Sequence, residues 1–200
     1  MYVREGLKKS FEDITGVGKP SVRSVGQAVR RRKAQASLFK DDGVIPNNPK
    51  LPLIHYRSPV RLPETGDAAA VFEQLFKRNG WEDSWRNGIY DYVHYHSRTH
   101  EVLGIARGHA RVRFGGHKGR VFRLKAGDVV ILPAGTGHQC LSASKDLLVI
   151  GAYPRTGKYD ECEGSPQEYE RAVKSVPAVP RPSKDPVYGP DGPLLDLWAD

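Results

Sequence analysis

Hydrophobic and polar positions along the 200 residues change rhythm several times, and each rhythm predicts a different kind of element. Near the start, Leu7, Phe11 and Ile14, and then Val22, Val25 and Val29, fall at helical spacing, with Thr15-Gly16-Val17-Gly18-Lys19-Pro20 breaking between them. Two short amphipathic helices follow from this pattern. Each apolar stripe is too narrow to hold a helical hairpin alone, so the pair must dock on the rest of the chain or fray. Asp42-Gly43 and Pro46-Asn47-Asn48-Pro49 then read as turns, and Leu51-Pro52-Leu53-Ile54 as an entering edge strand. Asp67 can cap a helix that carries Val71, Phe72, Leu75 and Phe76 on one face and ends near Gly80.

From residue 89 onward the rhythm turns to short apolar and alternating runs. Candidate strands are 89–96, 101–107, 110–115, 120–124, 128–132, 138–143 and 147–153, parted by Gly, Asn, Ser or Asp. So many short strands in series imply a mainly β protein, a sandwich or a barrel. Arg107-Gly108-His109 is a hairpin turn, after which Arg111 and Arg113 should face water while Val112 and Phe114 face the core. Ser165-Pro166-Gln167-Glu168 is a helix start with a capping box, and Tyr169, Ala172, Val173 and Val176 supply that helix with a stripe to bury. Residues 177–193 are too rich in Pro for regular structure and should wrap the barrel as an extended arm, until Leu194, Leu195, Leu197 and Trp198 find apolar contacts. The organisation expected is a basic helical extension over 1–37 and a β-domain with a C-terminal wrapping arm over 38–200.

Length allows one good core and no second full domain. Cys140 and Cys162 are not clustered, and the start Met1-Tyr2-Val3-Arg4-Glu5 has no apolar run, so the expectation is a cytoplasmic protein with both thiols free. No stretch approaches the ~20 apolar residues that span a bilayer, so no membrane partner is expected. The formal charge of +8 is uneven: residues 1–40 hold ten Lys or Arg against three acids, while the remainder nets +1. A polyanion partner therefore has to be argued from the N-terminal arm. There, Ile14-Thr15-Gly16-Val17-Gly18 resembles the hairpin of helix-hairpin-helix modules, and Arg30-Arg31-Arg32-Lys33 would add phosphate contacts. That makes nucleic-acid binding through residues 1–37 a rival reading. The preferred one is a solvated basic helix end docked on the barrel or on a sister subunit.

The chemistry concentrates in four residues. In Ile89-Tyr90-Asp91-Tyr92-Val93-His94-Tyr95-His96, strand geometry turns His94 and His96 to one side and Tyr95 to the other. Glu101 and the distant His138 complete a set of three imidazoles and one carboxylate, a metal site on the inner wall of a β-structure. Such donors suit Mn, Fe, Co, Ni or Zn and leave two positions open if the geometry is octahedral, with Mn or Fe(II) favoured and Ni or Zn as other occupants. Cys140 shares the strand parity of His138 but falls in no ligand motif. Tyr90 and Tyr92 share parity with the histidines, so as candidate catalytic residues they would line the same cavity and offer hydroxyls to a bound ligand; filling a barrel end is the alternative. Leu103 and Ile105 make the opposite wall apolar, and Ser142 should point inward by parity with His138. His100 should face the other way, toward solvent or a subunit contact, and His55, His109 and His117 should be solvated. The pocket so built fits a small oxygen-bearing molecule.

Gly88, five residues, His94-Tyr95-His96, four residues, Glu101, six residues, Gly108 is similar to the first motif of the cupin superfamily. Gly127, five residues, Pro133-Ala134-Gly135, two residues, His138 resembles the second, with Ser142 where the family usually carries asparagine. The wider run from Phe39-Lys40-Asp41-Asp42-Gly43 through Trp85-Arg86-Asn87-Gly88 to Gly151-Ala152-Tyr153-Pro154 looks like the YjlB-like bacterial cupins. The resemblance covers about residues 38–198. It implies a double-stranded β-helix (jelly-roll) barrel, a metal held by His94, His96, Glu101 and His138, and a homodimer. The function expected is that of a metal-dependent enzyme on a small oxygen-bearing organic molecule, dioxygenase- or oxidase-like, or isomerase- or decarboxylase-like. A non-catalytic metal- or small-molecule-binding cupin and a cupin sensor tethered to nucleic acid are the alternatives.

Overall fold

The alternating runs resolve into two antiparallel sheets in a computed structural model that describes residues 22–199, with side chains from Val25 onward. The expected helix around Leu7, Phe11 and Ile14 and the hairpin at 14–18 lie outside the described residues. Strands β1 (Ala34–Ser37), β2 (Leu53–Tyr56), β3 (Trp81–Asn87), β4 (Glu101–Arg107), β7 (Val129–Leu132) and β9 (Leu148–Pro154) form one sheet in the order β1-β2-β7-β4-β9-β3. Strands β5 (His109–Phe114), β6 (Arg120–Lys125) and β8 (His138–Ala143) form the other, in the order β6-β5-β8. This is the mainly β double-sheeted barrel expected.

Composition explains the difference between the sheets. β2, β4 and β7 read as near-continuous apolar runs because the large sheet is buried on both faces. Its inner face, with Leu53, Leu103, Val130, Leu132 and Val149, packs on Val112, Phe114 and Leu124 of the small sheet. Its outer face, with Ile54, Tyr56, Val102, Val129 and Ile150, is covered by helix α2 (Ala68–Arg78) and the C-terminal arm. The small sheet has one face in water, and its central strand β5 alternates cleanly: Ala110, Val112 and Phe114 are buried, and Arg111 is exposed.

Caps fall where the sequence places them. Asp67 accepts the Ala69 N–H at the start of α2, and Ser165 and Glu168 close a capping box on helix α3 (Pro166–Ser175). Of the α3 stripe, Ala172 and Val176 are buried, whereas Val173 is exposed. The helix is only half-covered by the barrel. Helix α1 (Val22–Ala28) is the second of the two expected helices, and the basic run after it is docked: Arg31 Nη1 donates to the Asp191 carbonyl and Arg32 Nε to that of Ser58. After a 3₁₀ turn (Val176–Ala178), the arm is pinned by buried Asp185, which accepts from the Tyr56 hydroxyl and the Val187 and Tyr188 amides. It ends in the short helix α4 (Pro193–Leu197) and in Trp198, whose Nε1 donates to the Pro52 carbonyl at 2.9 Å.

Four expectations change. Residues 89–96 are not a strand, because the segment pairs on alternating sides with two partners and makes only single bridges, His94 to His138 and Tyr95 to Cys162. The entering strand is central rather than an edge: β1 adds outside it, with Ala34 opposite Tyr56. β3 goes unread in the sequence because a bulge between Glu82 and Trp85, with Asp83 at φ 51°, breaks its alternation. Ser142 is exposed, since Val112 pairs with Cys140 and Arg111 with Ser142; the extra residue, Leu141, reverses parity beyond Cys140.

Candidate metal centre

His94 reaches the barrel interior because its backbone is sewn to β8: each of His94 and His138 donates its N–H to the other's carbonyl, at 3.2 and 2.9 Å. One residue on, Tyr95 exchanges both hydrogen bonds with Cys162, so its ring turns the other way, into a cluster with Ile45, Ala172 and Val176. His96 is fixed by Gly135, whose N–H donates to the His96 carbonyl at 2.7 Å. Gly135 has φ 87°, and a Cβ there would fall 2.9 Å from the Asn47 carbonyl oxygen, so the turn that delivers His138 requires glycine.

The three imidazoles each offer a nitrogen, all within 4.8 Å of one another, and all three residues are buried. Glu101, the first residue of β4, enters from the large sheet, its Oε2 3.5 Å from Nε2 of both His96 and His138. That oxygen is buried and has no hydrogen-bond partner. Each histidine has a backbone carbonyl at its other ring nitrogen: Tyr92 for His94, Asp160 for His96 and Thr136 for His138. A proton held on Nδ1 by these carbonyls leaves the Nε2 lone pairs of His96 and His138 facing the carboxylate.

Electrostatics at the centre favour a cation. Burial, with the charge of His96 behind it, holds the His94 imidazole below its ordinary value. Burial does the same to His138 more strongly, seconded by His94 and His96. Burial would also lower His96, but the Glu101 carboxylate and the Asp160 carbonyl outweigh it and raise that imidazole. Glu101 thus draws a single positive charge into a nest of imidazoles that repel further protons. An orphaned buried carboxylate oxygen beside three converging imidazoles is the arrangement that a divalent transition metal satisfies in place of the proton, so these residues fit that group.

Above the centre lies a cavity of about 470 Å³, lined by the four residues together with Trp85, Ile89, Tyr90, Leu103, Tyr153 and Tyr159 among others. Tyr90 is 43% exposed at the mouth, its ring edge-on to His94 with centroids 5.2 Å apart. Tyr92 stacks on Tyr90 at 4.9 Å and gives its hydroxyl to Glu161 Oε1 at 2.8 Å. It therefore stands behind Tyr90 rather than in the cavity wall. Ile105 belongs to the interior cluster, and Leu103 supplies the apolar wall.

Sequence reading missed two tyrosines. Tyr153 lines the same cavity as Glu101, and burial followed by that carboxylate's charge pushes its hydroxyl up, so it stays protonated. Its signal was parity: Val149, Gly151 and Tyr153 alternate on β9 toward the interior. Tyr159 lies 5.0 Å from His96, ring to ring, and donates to Glu161 Oε2; no pattern in the irregular residues around it announces this.

Two histidines are corrected. His100 does turn away from the centre, but it is fully buried, packed 4.7 Å from the Trp198 ring, with Nδ1 accepting the Ala134 N–H. The C-terminal arm covers the face assigned to solvent. His55 is 1% exposed rather than solvated, because β1 makes β2 an interior strand. His109 and His117 are exposed as expected.

Residues 86–150 match the Cupin domain family. Over 168 residues the chain is 44% identical to the Bacillus subtilis (strain 168) protein named Uncharacterized protein YjlB, spanning 84% of this chain and 98% of that one. This chain is a YjlB-like cupin. Among solved structures, the cupin is similar to acireductone dioxygenase from Bacillus anthracis with cadmium ion in its active center (21% identity, 48% of this chain and 68% of that one, TM-score 0.34). It is also similar to oxalate decarboxylase from Bacillus subtilis (20% identity, 62% of this chain and 32% of that one, TM-score 0.35). A double-stranded β-helix protein from Klebsiella pneumoniae is 14% identical over 73% of this chain and 98% of its own, with TM-score 0.34. Among the described residues of the cupin, no helix is long and apolar enough to cross a membrane.

Proposed function

We propose that this cupin is a metal-dependent enzyme acting on a small oxygen-bearing organic molecule, with His94, His96, Glu101 and His138 holding one divalent transition metal. The observation that carries the reading is the buried, partnerless Oε2 of Glu101, 3.5 Å from two imidazole nitrogens at the floor of a cavity of about 470 Å³. A donor set without thiolate favours Mn or Fe(II), with Ni or Zn able to enter purified material. Bound there, the metal supplies Lewis acidity to a substrate oxygen. The chain's own residues do the rest. The three carbonyls orient the imidazoles, the protonated Tyr153 hydroxyl stands in the cavity that Glu101 lines, and Leu103 and Ile89 give that cavity apolar surface. Tyr90 and Tyr159 stand where their hydroxyls can hold the polar end of a ligand, while Tyr92 supports Tyr90 from behind.

Proton-shuttling chemistry needs a group that titrates near the working pH. Tyr153 and Tyr159 are both pushed above the ordinary phenol range, by burial first and then by Glu101 and Glu161 respectively. Neither is suited to act as a general base. A homodimer, and a cytoplasmic setting in which Cys140 and Cys162 stay free, complete the proposal.

Elemental analysis of protein purified without added metal should find about one transition metal per chain, lost in Glu101→Ala, and a thermal-shift screen of small organic acids should identify a ligand that the metal-loaded protein then turns over. Undiminished metal content in Glu101→Ala would sink the site. Ligand uptake with no product under air or nitrogen would make the protein a binding module instead.

A further inference from the structure

Residues 41–200 are nearly neutral in sum, but their charge is segregated. The small sheet carries Arg111, Arg113, Arg120, Arg123 and Lys125, and its three strands hold no Asp or Glu. Arg111 even stands directly opposite Arg123 in the β5–β6 register, a like-charge pairing that costs stability.

Beside this sheet, between β6 and the β1–β2 edge, runs a groove of about 530 Å³ lined by Ser37, His55, Arg57, Arg120, Phe122 and Arg123 among others, and it shares no residue with the metal-centre cavity. Among the described residues, no acidic side chain pairs with Arg57, Arg120 or Arg123. Arg120 is held in place, with Nη2 on Ser37 Oγ and its guanidinium 5.6 Å from the Phe39 and 5.9 Å from the Phe122 ring centroid.

His55 is the second observation. It is buried at the groove with Nε2 3.5 Å from Asp128 Oδ2, the oxygen that accepts the Lys125 N–H, and neither ring nitrogen has a hydrogen-bond partner. Nε2 is the nitrogen nearest the carboxylate, so the neutral ring is best satisfied with its proton there. Nδ1 is then a lone pair, buried and with no hydrogen-bond partner, an arrangement that costs stability unless something donates to it.

We propose that this groove binds a small oxyanion that carries its own O–H donor: an inorganic hydrogenphosphate or a 2-hydroxy carboxylate. The guanidinium groups take the charged oxygens, since their planar donor forks match both phosphate and carboxylate. The ligand hydroxyl donates to His55 Nδ1. An oxyanion without a proton leaves that nitrogen unsatisfied, so the groove tells hydrogenphosphate from sulfate, which is alike in shape but has no hydroxyl near neutral pH.

Calorimetric titration of the full chain, dialysed against chelator so that the metal centre takes no part, uses inorganic phosphate, sulfate, lactate and propionate. At least one of phosphate and lactate binds once per chain, and its hydroxyl-free counterpart binds about tenfold more weakly. Phosphate without lactate assigns hydrogenphosphate, lactate without phosphate a hydroxy acid, and both together the shared chemistry. Arg57→Gln and Arg123→Gln, at exposed positions, each weaken binding about three- to tenfold. His55→Gln removes the discrimination while retaining charge-driven binding; should that variant not fold, the phosphate-to-sulfate ratio of the natural chain and the arginine variants still decide. Equal affinity for sulfate and phosphate, no binding of either hydroxyl-bearing ion up to about 10 mM, or arginine variants that bind normally would each overturn the assignment.

Discussion

Trp85 Nε1 donates to the Tyr153 hydroxyl at 2.8 Å, and the charge of the nearby Glu101 carboxylate acts on the same hydroxyl. The indole reaches that hydroxyl because Gly151 has no side chain: a Cβ there would fall 2.1 Å from the Trp85 ring, so the indole lies flat on β9. Trp85 takes an acceptor position of the Tyr153 oxygen and leaves its proton free to face the cavity that Glu101 also lines. Tyr153→Phe keeps the ring and removes the donor, so the fold should survive while metal affinity falls about tenfold, the lower end of what outer partners of metal ligands contribute. Trp85→Phe should move affinity the same way by less. Chelator competition with Mn or Zn measures both, and an unchanged affinity in Tyr153→Phe would remove that residue from the site's support.

A second prediction concerns what holds β3, and with it Trp85, against the barrel. The side chain of Arg86 is 4% exposed and paired with Asp67 and Glu73, each at 2.9 Å, so one guanidinium ties the cap and the first turns of α2 to the strand. Burial alone would lower its affinity for the proton, but Glu73 and then Asp67 more than offset that. Arg86→Ala leaves two carboxylates without their cation and should destabilise the fold by about 3–5 kcal/mol, read as a lowered urea midpoint. Arg86→Lys should recover part of this, because a point charge cannot reproduce the forked contact to Glu73. Loss of less than about 1 kcal/mol in Arg86→Ala would show the triad to be solvated in practice.

These two networks mark where sequence reading stops. The quartet His94, His96, Glu101 and His138 was legible because each member's direction is set locally, by parity within a short extended run or by a glycine turn. The strands from β4 to β9 were legible for the same reason, their patterns being intact. β3 was hidden by its bulge at Asp83, and Ser142 was turned outward by the extra residue Leu141, features that a period-two reading does not detect. The surroundings of His100 and His55 were unreadable in principle, since Trp198 and β1 that bury them lie 98 positions ahead of one and about 20 behind the other. The near-neutral total beyond residue 40 likewise concealed a basic sheet, because segregation of charge is a property of register and not of composition.

Asp128 joins these distant pieces, and its carboxylate gives the fold an acid limit. Oδ1 accepts the Ser58 N–H at 2.8 Å and Oδ2 the Lys125 N–H at 3.1 Å, so one side chain fastens the end of β2 to the turn before β7. Burial by itself would raise the carboxyl, but the His55 contact and the two amides prevail and hold it below the usual carboxylate range. A folded value below the unfolded one means that the unfolded chain binds more protons in the interval between them. The contribution to stability is therefore complete above the unfolded value of about 3.9 and disappears as pH falls through the lower, folded value. Asp128→Asn retains one acceptor and sets an amide against the other N–H, so at pH 6 it should cost about 1–3 kcal/mol. The difference between natural and variant chains should shrink as pH is lowered below about 4. Urea midpoints for the two proteins at pH 6 and pH 3 test this directly, and a gap that stays constant or widens in acid would show that the carboxylate's charge is not what fastens the turn.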